Sequence, residues 1–228
     1  MQDQSFWYLE NVDMNGLFCA NKLEGALKGK SFNSFKKGDY IYLPDQSSDK
    51  IYFIQSGKVK IGTFGDNQRE ITKAILGSGE IFGELSMIGE DKRRDFAYAM
   101  EDTNLCCMNN EEMKALMKDS SSVSMFMLKV MGSRVLNMEN RLESLVFKDS
   151  RSRIVEFLVD EVEKKGQRIG YEYVLRGFLT HQEIANITAT SRQTVTTLLN
   201  DLRNRNIITF DRRRLLVRDL DALKAEMV

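Results

Sequence analysis

Gly83 and Glu84, followed about ten residues later by Arg94, have the types and spacing to hold a ribose and a charged phosphate. Asp95, the next residue, opposes that use. A carboxylate has no hydrogen to donate, and it repels a phosphate by about 1–4 kcal/mol at effective dielectric constants between bulk water and a protein surface. Protonating it relieves the repulsion but must move a group that ionises near pH 4. Arg192 and Gln193 offer a different chemistry. Arginine reaches O6 and N7 of guanine with two bonds, and glutamine pairs with N6 and N7 of adenine. Each good pair discriminates between bases by about 1–3 kcal/mol.

The stretch LTHQEIANITATSRQTVTTLLNDLRNRNIITFDRRRLLV places that second set on a helix. Thr180 with Glu183 forms a capping box ahead of Ile184, Ala185 and Ile187. A break at Thr188-Ala189-Thr190 follows, and Ser191 caps a second helix with Val195, Leu198, Leu199 and Leu202 on its buried face. Small Ala185 lets the two helices approach, with Val195 meeting it. Arg192, Gln193, Thr196, Thr197 and Asn200 are then free on the outer face. In a helix-turn-helix the first turn of the second helix enters the major groove, while serine, threonine and helix N-terminal amides suit phosphates. His181 is expected at the surface of the first turn, near a phosphate. Ile207–Phe210 and Leu215–Val217 read as a β-hairpin wing, and its Arg212–Arg214 tip is either a phosphate clamp or a solvated turn. Ala189 stands where this motif usually has glycine, so it must carry a left-handed backbone or adopt a different turn.

Upstream, Tyr40–Leu43, Ile51–Gln55, Lys58–Phe64 and Ile71–Leu76 are short runs rich in β-branched and aromatic residues. Gly-containing turns at Lys37-Gly38-Asp39, Ser56-Gly57, Gly65-Asp66-Asn67 and Gly77-Ser78-Gly79 separate them, which implies an antiparallel sandwich or barrel. Asn15–Leu27 reads as a short helix. From Glu111 to Phe147 the period becomes helical, and Leu128, Met131, Val135, Met138, Leu142 and Leu145 form a seam that Ser121 and Ser124 extend weakly. The narrow stripe with polar flanks favours a parallel dimer helix over a helix packed on its own domain. Lys148-Asp149-Ser150 breaks the pattern, and Asp149 or Ser150 caps a helix starting near Arg151. The expected fold is α+β: a β-roll over residues 1–120, a dimerisation helix over 121–147 and a winged helix-turn-helix over 148–228.

The chain of 228 residues is long enough to bury real cores, and 42% hydrophobic with 29% charged residues is ordinary for a globular protein. Net charge is zero, yet from Lys148 onward 15 Lys+Arg face 12 Asp+Glu, a net of +3 against −3 before it. The C-terminal end is the one to face a polyanion. No apolar run approaches the ~20 residues that span a bilayer, and the N-terminus lacks a signal pattern, so the expected location is cytoplasmic. Cys19, Cys106 and Cys107 form no metal-binding or CxxC spacing and read as buried or idle thiols. His181 is the sole histidine, and no nucleophile–base set, metal quartet or P-loop appears, so the chain is not expected to be an enzyme.

The order of β-roll, dimer helix, "LVFKDSRSRI" hinge, helix-turn-helix with "SRQTV" and wing resembles the Crp/Fnr family of bacterial transcription regulators over nearly the whole chain. The resemblance implies a homodimer that binds palindromic double-stranded DNA and acts with RNA polymerase. It places Arg192, Gln193 and Thr197 at base-reading positions, and His181, Gln182, Ser191 and Thr194 at phosphate-contacting ones. In the family's cyclic-AMP branch, Gly-Glu meets the ribose and Arg followed by Ser or Thr holds the phosphate. Here Gly83, Glu84 and Arg94 match, Asp95 replaces the hydroxyl residue, and Met138 and Glu139 replace the adenine-binding hydroxyls. The pocket is thus expected to be degenerate, its effector something other than cyclic AMP, and its cofactor none or unknown. Arg94 and Asp95 are expected to support the local fold, as in an ion pair with Arg93. The alternatives are a cyclic-nucleotide-responsive regulator or a haem or redox sensor using the cysteines.

Overall fold

The computed structural model describes residues 31–65 and 69–227, so the expected helix at Asn15–Leu27, Cys19 and the turn residues Asp66 and Asn67 lie outside the described residues. The chain divides into two compact units, Met1–Arg134 and Val135–Val228.

The first unit contains β1 (Ser31–Phe35), β2 (Tyr40–Tyr42), β3 (Lys50–Ser56), β4 (Val59–Phe64), β5 (Glu70–Leu76), β6 (Ile81–Phe82), a short helix Glu84–Ile88, β7 (Phe96–Ala99) and β8 (Thr103–Asn109). They pair antiparallel into two four-stranded sheets, ordered β1-β8-β3-β6 and β2-β7-β4-β5. Ile51–Ile54 are buried at four successive positions because both faces of β3 are covered. Adjacent Cys106 and Cys107 show the same two-sidedness. Cys106 packs with Phe53 and Phe126, whereas Cys107 packs with Tyr52 and Leu105, as a period of two requires.

The expected helical stretch from Glu111 to Phe147 is two helices. α1 (Asn110–Asp119) starts with an Asn109–Glu112 capping box and stops at Ser120, where α2 (Ser121–Phe147) follows. Ser124 does not extend the seam. Its hydroxyl donates to the Met117 carbonyl at 2.6 Å, satisfying an orphan acceptor at the end of α1. α2 carries two stripes. Val123, Phe126, Met127 and Val130 complete the first unit's core. Leu128, Val135, Met138, Leu142 and Leu145 are 43–72% exposed in the single chain, and Met131 is half-buried.

The second unit continues with α3 (Ser150–Lys165), where Asp149 is the N-cap and accepts from the Ser152 amide. Residues 166–179 form a hairpin of β9 (Gln167–Ile169) and β10 (Glu172–Arg176) with its flanking loops, then come α4 (His181–Thr188), α5 (Arg192–Asn204), β11 (Ile208–Phe210), β12 (Arg214–Val217) and α6 (Leu220–Lys224). One antiparallel sheet, β11-β12-β10-β9, backs the helices. Ile154, Leu158, Ile184, Val195, Leu199 and Leu202 are fully inaccessible in this core, each contributing on the order of 1.5–3 kcal/mol by burial.

The tail of this unit is fastened by charge. Glu226 accepts from Arg205 Nη1 at 2.9 Å and from Arg151 Nη2 at 2.7 Å, and these guanidiniums pull its carboxyl down from 4.5 to about 2. A carboxyl depressed on folding adds stability that is complete above its ordinary value and is lost as pH falls toward its folded one. The melting-temperature deficit of Glu226→Gln, followed by circular dichroism, should therefore shrink as pH is lowered from about 5 to about 3. A deficit that grows over that interval contradicts this assignment.

Candidate nucleic-acid interface and effector pocket

The helix-turn-helix begins with the expected capping box. Thr180 Oγ1 accepts from the Glu183 amide, while the Glu183 carboxylate accepts from the Thr180 amide at 2.7 Å. α4 ends at Ala189, whose φ of 52° and ψ of 44° are left-handed, so the non-glycine residue takes the costly geometry rather than another turn. That costs about 1–2 kcal/mol. The Thr190 amide returns to the Ala185 carbonyl at 3.0 Å, and the Thr188 hydroxyl bonds the Ile184 carbonyl at 2.8 Å, closing the turn. Ser191 then caps α5 by accepting from the Thr194 amide at 3.0 Å. Ala185 and Val195 are both buried where the helices cross.

Arg192, Gln193 and Thr197 are exposed on the first turns of α5, as expected for its outer face. Thr196 is not free there. Half-buried, it donates to the Arg192 carbonyl at 2.9 Å and meets His181 Nδ1 at 2.8 Å. Its single hydroxyl hydrogen is used on the carbonyl, so His181 Nδ1 donates to Thr196 and leaves a lone pair on Nε2 of the neutral ring. His181 is half-buried, with its ring edge-on to Phe210 at 5.7 Å, rather than a plain surface residue. Burial, then the charge of Arg192, holds its pKa below the ordinary 6.5. Asn200 is likewise half-buried because it sits on the flank of the helix. Gln182 is exposed but donates to Asn186 at 2.8 Å. Ser191 and Thr194 share one hydroxyl–hydroxyl bond of 2.8 Å, which leaves one of their two hydrogens for another acceptor. At the wing, Asp211 accepts from the Arg213 and Arg214 amides and pairs with Arg214 Nε at 2.9 Å, so Arg214 belongs to β12 and the exposed tip is Arg212–Arg213.

In the first unit Gly83 has φ 81°, and a Cβ there would lie 2.8 Å from the Lys50 carbonyl oxygen, so only glycine fits. Glu84 is buried and pairs with Arg134 Nε at 3.4 Å. The expected Arg93–Asp95 ion pair is absent among the described contacts, because Arg93 spends its donors on backbone carbonyls while Asp95 is taken by Lys73 and the Tyr42 hydroxyl. Arg93 turns inward, Arg94 outward and Asp95 inward. Arg93 is buried, donates to the Gly83 carbonyl at 3.2 Å and the Lys50 carbonyl at 2.5 Å, and lies 4.5 Å from the Tyr42 ring centroid. Its Nε finds no acceptor. Arg94 is 72% exposed and forks onto Glu90. Asp95 takes Lys73 at 3.3 Å and the Tyr42 hydroxyl at 3.3 Å. Burial, then the Asp95 charge, pushes the Tyr42 phenol far above its ordinary range. Met138 and Glu139, in the second unit, are exposed.

The sequence pointed to Arg93 only as a partner for its neighbours, and to Lys73 and Tyr42 not at all. Arg93 lies outside any strand, just ahead of a bend, so no periodicity marked it as the inward guanidinium. Lys73 and Tyr42 come from strands elsewhere in the chain and carried no signal.

A family model described as a cyclic nucleotide-binding domain matches residues 32–120, and one described as a Crp-like helix-turn-helix domain matches residues 152–226. A global nitrogen regulator from Nostoc sp. is 31% identical over 81% of this chain and 83% of its own length. A CRP-like cAMP-activated global transcriptional regulator from Mycobacterium tuberculosis is 29% identical over 83% of this chain and 84% of its own. Among solved structures, a variant of CooA from Carboxydothermus hydrogenoformans superposes with a TM-score of 0.81 at 28% identity, covering 97% of this chain and 99% of that one.

Arg93→Ala strands two carbonyls in a buried site, each worth about 1–3 kcal/mol, and should lower the first unit's unfolding free energy by about 3 kcal/mol. Arg94→Ala, at an exposed pair, should change it by no more than about 0.5 kcal/mol. Denaturant titration of both variants gives the comparison, and similar losses would contradict the inward–outward assignment.

Proposed function

The chain belongs to the Crp/Fnr family of transcription regulators, and on that premise we propose that two copies, joined along the exposed stripe of α2, read a palindromic operator. It is a sequence-specific DNA-binding regulator. Regulators of this family bind DNA as dimers, and the unpartnered Leu128, Val135, Met138, Leu142 and Leu145, with half-buried Met131, are the stripe that would join two copies of α2. The single observation that carries the reading is the presentation of Arg192, Gln193 and Thr197. They stand exposed on the first turns of a helix whose opposite face is buried, so their hydrogen-bonding groups are available to base edges. Gln182, Ser191 and Thr194 face phosphates. Among these, Ser191 and Thr194 supply one hydroxyl hydrogen between them, and neutral His181 must take up a proton before its Nε2 can donate to a phosphate. Bound at the promoter, the dimer acts on RNA polymerase.

On this reading the effector of the β-roll is unknown and is not cyclic AMP. Arg94 faces solvent and is already held by Glu90, while the Asp95 carboxylate occupies Lys73 and Tyr42. A phosphate entering there meets a like charge in place of a donor. Haem or redox sensing through the cysteines finds no favouring observation. Cys106 and Cys107 are buried in two separate cores, and among the described residues no group of three or more metal-ligating side chains forms.

Gel-shift assays on genomic fragments should yield a salt-dependent, sequence-selective complex. Arg192→Ala should then relax preference at one base pair per half-site, losing about 1–3 kcal/mol of discrimination there. A uniform loss of affinity for all sequences would contradict the base-reading role. Calorimetric titration with cyclic AMP should show no binding below about 1 mM, and micromolar binding would overturn the reading of the pocket.

A further inference from the structure

Arg151 and Arg153 sit two residues apart in the first turn of α3, directly after the hinge, and they reach opposite ends of α5. Arg153 Nε donates to the Thr188 carbonyl at 3.0 Å and its Nη2 to the Ala189 carbonyl at 3.4 Å, at the turn that precedes α5. Its Nη1 donates to the Lys148 carbonyl at 2.8 Å, in the hinge itself. Arg151 Nη2 pairs with Asp201, near the end of α5, at 2.7 Å, and with Glu226 at 2.7 Å. A third guanidinium, Arg141 at the end of α2, donates to the Ile187 carbonyl at 2.8 Å. The hinge is closed further by Glu156 of α3, which accepts from Ser144 Oγ and Lys148 Nζ, both at 2.6 Å.

These acceptors are not incidental. The carbonyls of residues 187–189 are the last of α4. They have no partner within the helix and lie at its negative end, where a cation is favoured. They also flank Ala189, whose left-handed backbone is unfavourable for a residue with a Cβ. The turn before α5 is therefore where outside support has most effect. A guanidinium spreads its donors over three nitrogens in a rigid plane, and Arg153 uses all three to bond the hinge and the turn together, whereas an ammonium group donates from one nitrogen only. The two prongs differ in strength. Arg151 and Asp201 are 41% and 40% exposed, so water and salt screen that pair, whereas Arg153 bonds backbone acceptors at a half-buried site.

We propose that Arg151 and Arg153 are positioning residues for DNA reading: a two-pronged fork that holds the recognition helix α5 by both ends and ties its seating to the hinge. The proposal rests on the base-reading role given to Arg192 and Gln193. Arg153 is the dominant prong because it orders the turn before DNA arrives. Without it, the protein must order that turn on binding, which weakens every seated complex by one common factor and leaves phosphate-driven, unseated binding alone.

The test uses the full chain, with fluorescence anisotropy on a duplex carrying an operator fragment recovered by gel shift and on a random-sequence duplex. Arg153→Ala and Arg153→Lys should each weaken operator binding at least about tenfold, equivalent to about 1.4 kcal/mol, with random-duplex binding unchanged. Arg151→Ala should weaken it by less than about threefold, and only at low salt. Hydrogen exchange at the Ala189 and Thr190 amides should quicken in both Arg153 variants. The ranking of single-base variants of the operator should stay as in the unaltered protein, which separates this effect from that of Arg192→Ala. If Arg192→Ala leaves base preference intact while the Arg153 variants behave as stated, the base-reading assignment fails and the fork stands. Operator binding by Arg153→Lys equal to that of the unaltered protein would overturn the proposal, because charge alone would then suffice. An equal loss on random duplex would also overturn it, as would loss of the second unit's melting transition in both Arg153 variants.

Discussion

A left-handed residue that is not glycine governs the DNA-facing end of this molecule. Ala189 turns the chain between α4 and α5 at φ 52°, and the direction in which α5 leaves that turn decides where Arg192 and Gln193 point. The strain of about 1–2 kcal/mol is small against the burial of Ile184, Ala185, Val195 and Leu198 around the helix crossing. Packing therefore wins over local preference. The geometry is fixed by the core on one side and by arginine-bound carbonyls on the other.

The β-roll shows a complementary logic. Among the described residues it encloses the Arg93 guanidinium, lying over Tyr42 and donating to two carbonyls, the Glu84 carboxylate on Arg134, and the Asp95 carboxylate on Lys73 and Tyr42. Charges taken from water need such partners. An anionic ligand would have to compete with Asp95 for them. The departure noticed in the sequence at a single position is thus part of a satisfied internal arrangement, and a serine at that position would leave Lys73 without its carboxylate.

Much of this was legible beforehand, for physical reasons that differ between elements. The capping box at Thr180–Glu183, the cap at Ser191 and the buried set Val195, Leu198, Leu199 and Leu202 are local patterns, and each appears as expected. The short strands between Tyr40 and Leu76 were readable from composition and glycine turns. Arg93 and Arg94 precede β7, at and before a bend, so no strand periodicity says which of them faces inward. The break at Ser120 was hidden because helical periodicity continues across it. Thr196 looked free because its bond to His181 joins two helices, and Lys73 reaches Asp95 across strands. Contacts of that kind carry no local sequence signal, and neither does the Arg153 fork, whose acceptors are backbone carbonyls.

Selection of binding sites from a pool of random duplexes tests the proposed dimer most directly, because half-site spacing is set by the distance between two copies of α5. The account predicts a palindrome whose half-site centres lie one helical turn apart, about 10–10.5 base pairs, with spacing changes of half a turn abolishing binding. Recovery of a single isolated half-site, or of palindromes bound equally well at any spacing, would contradict it.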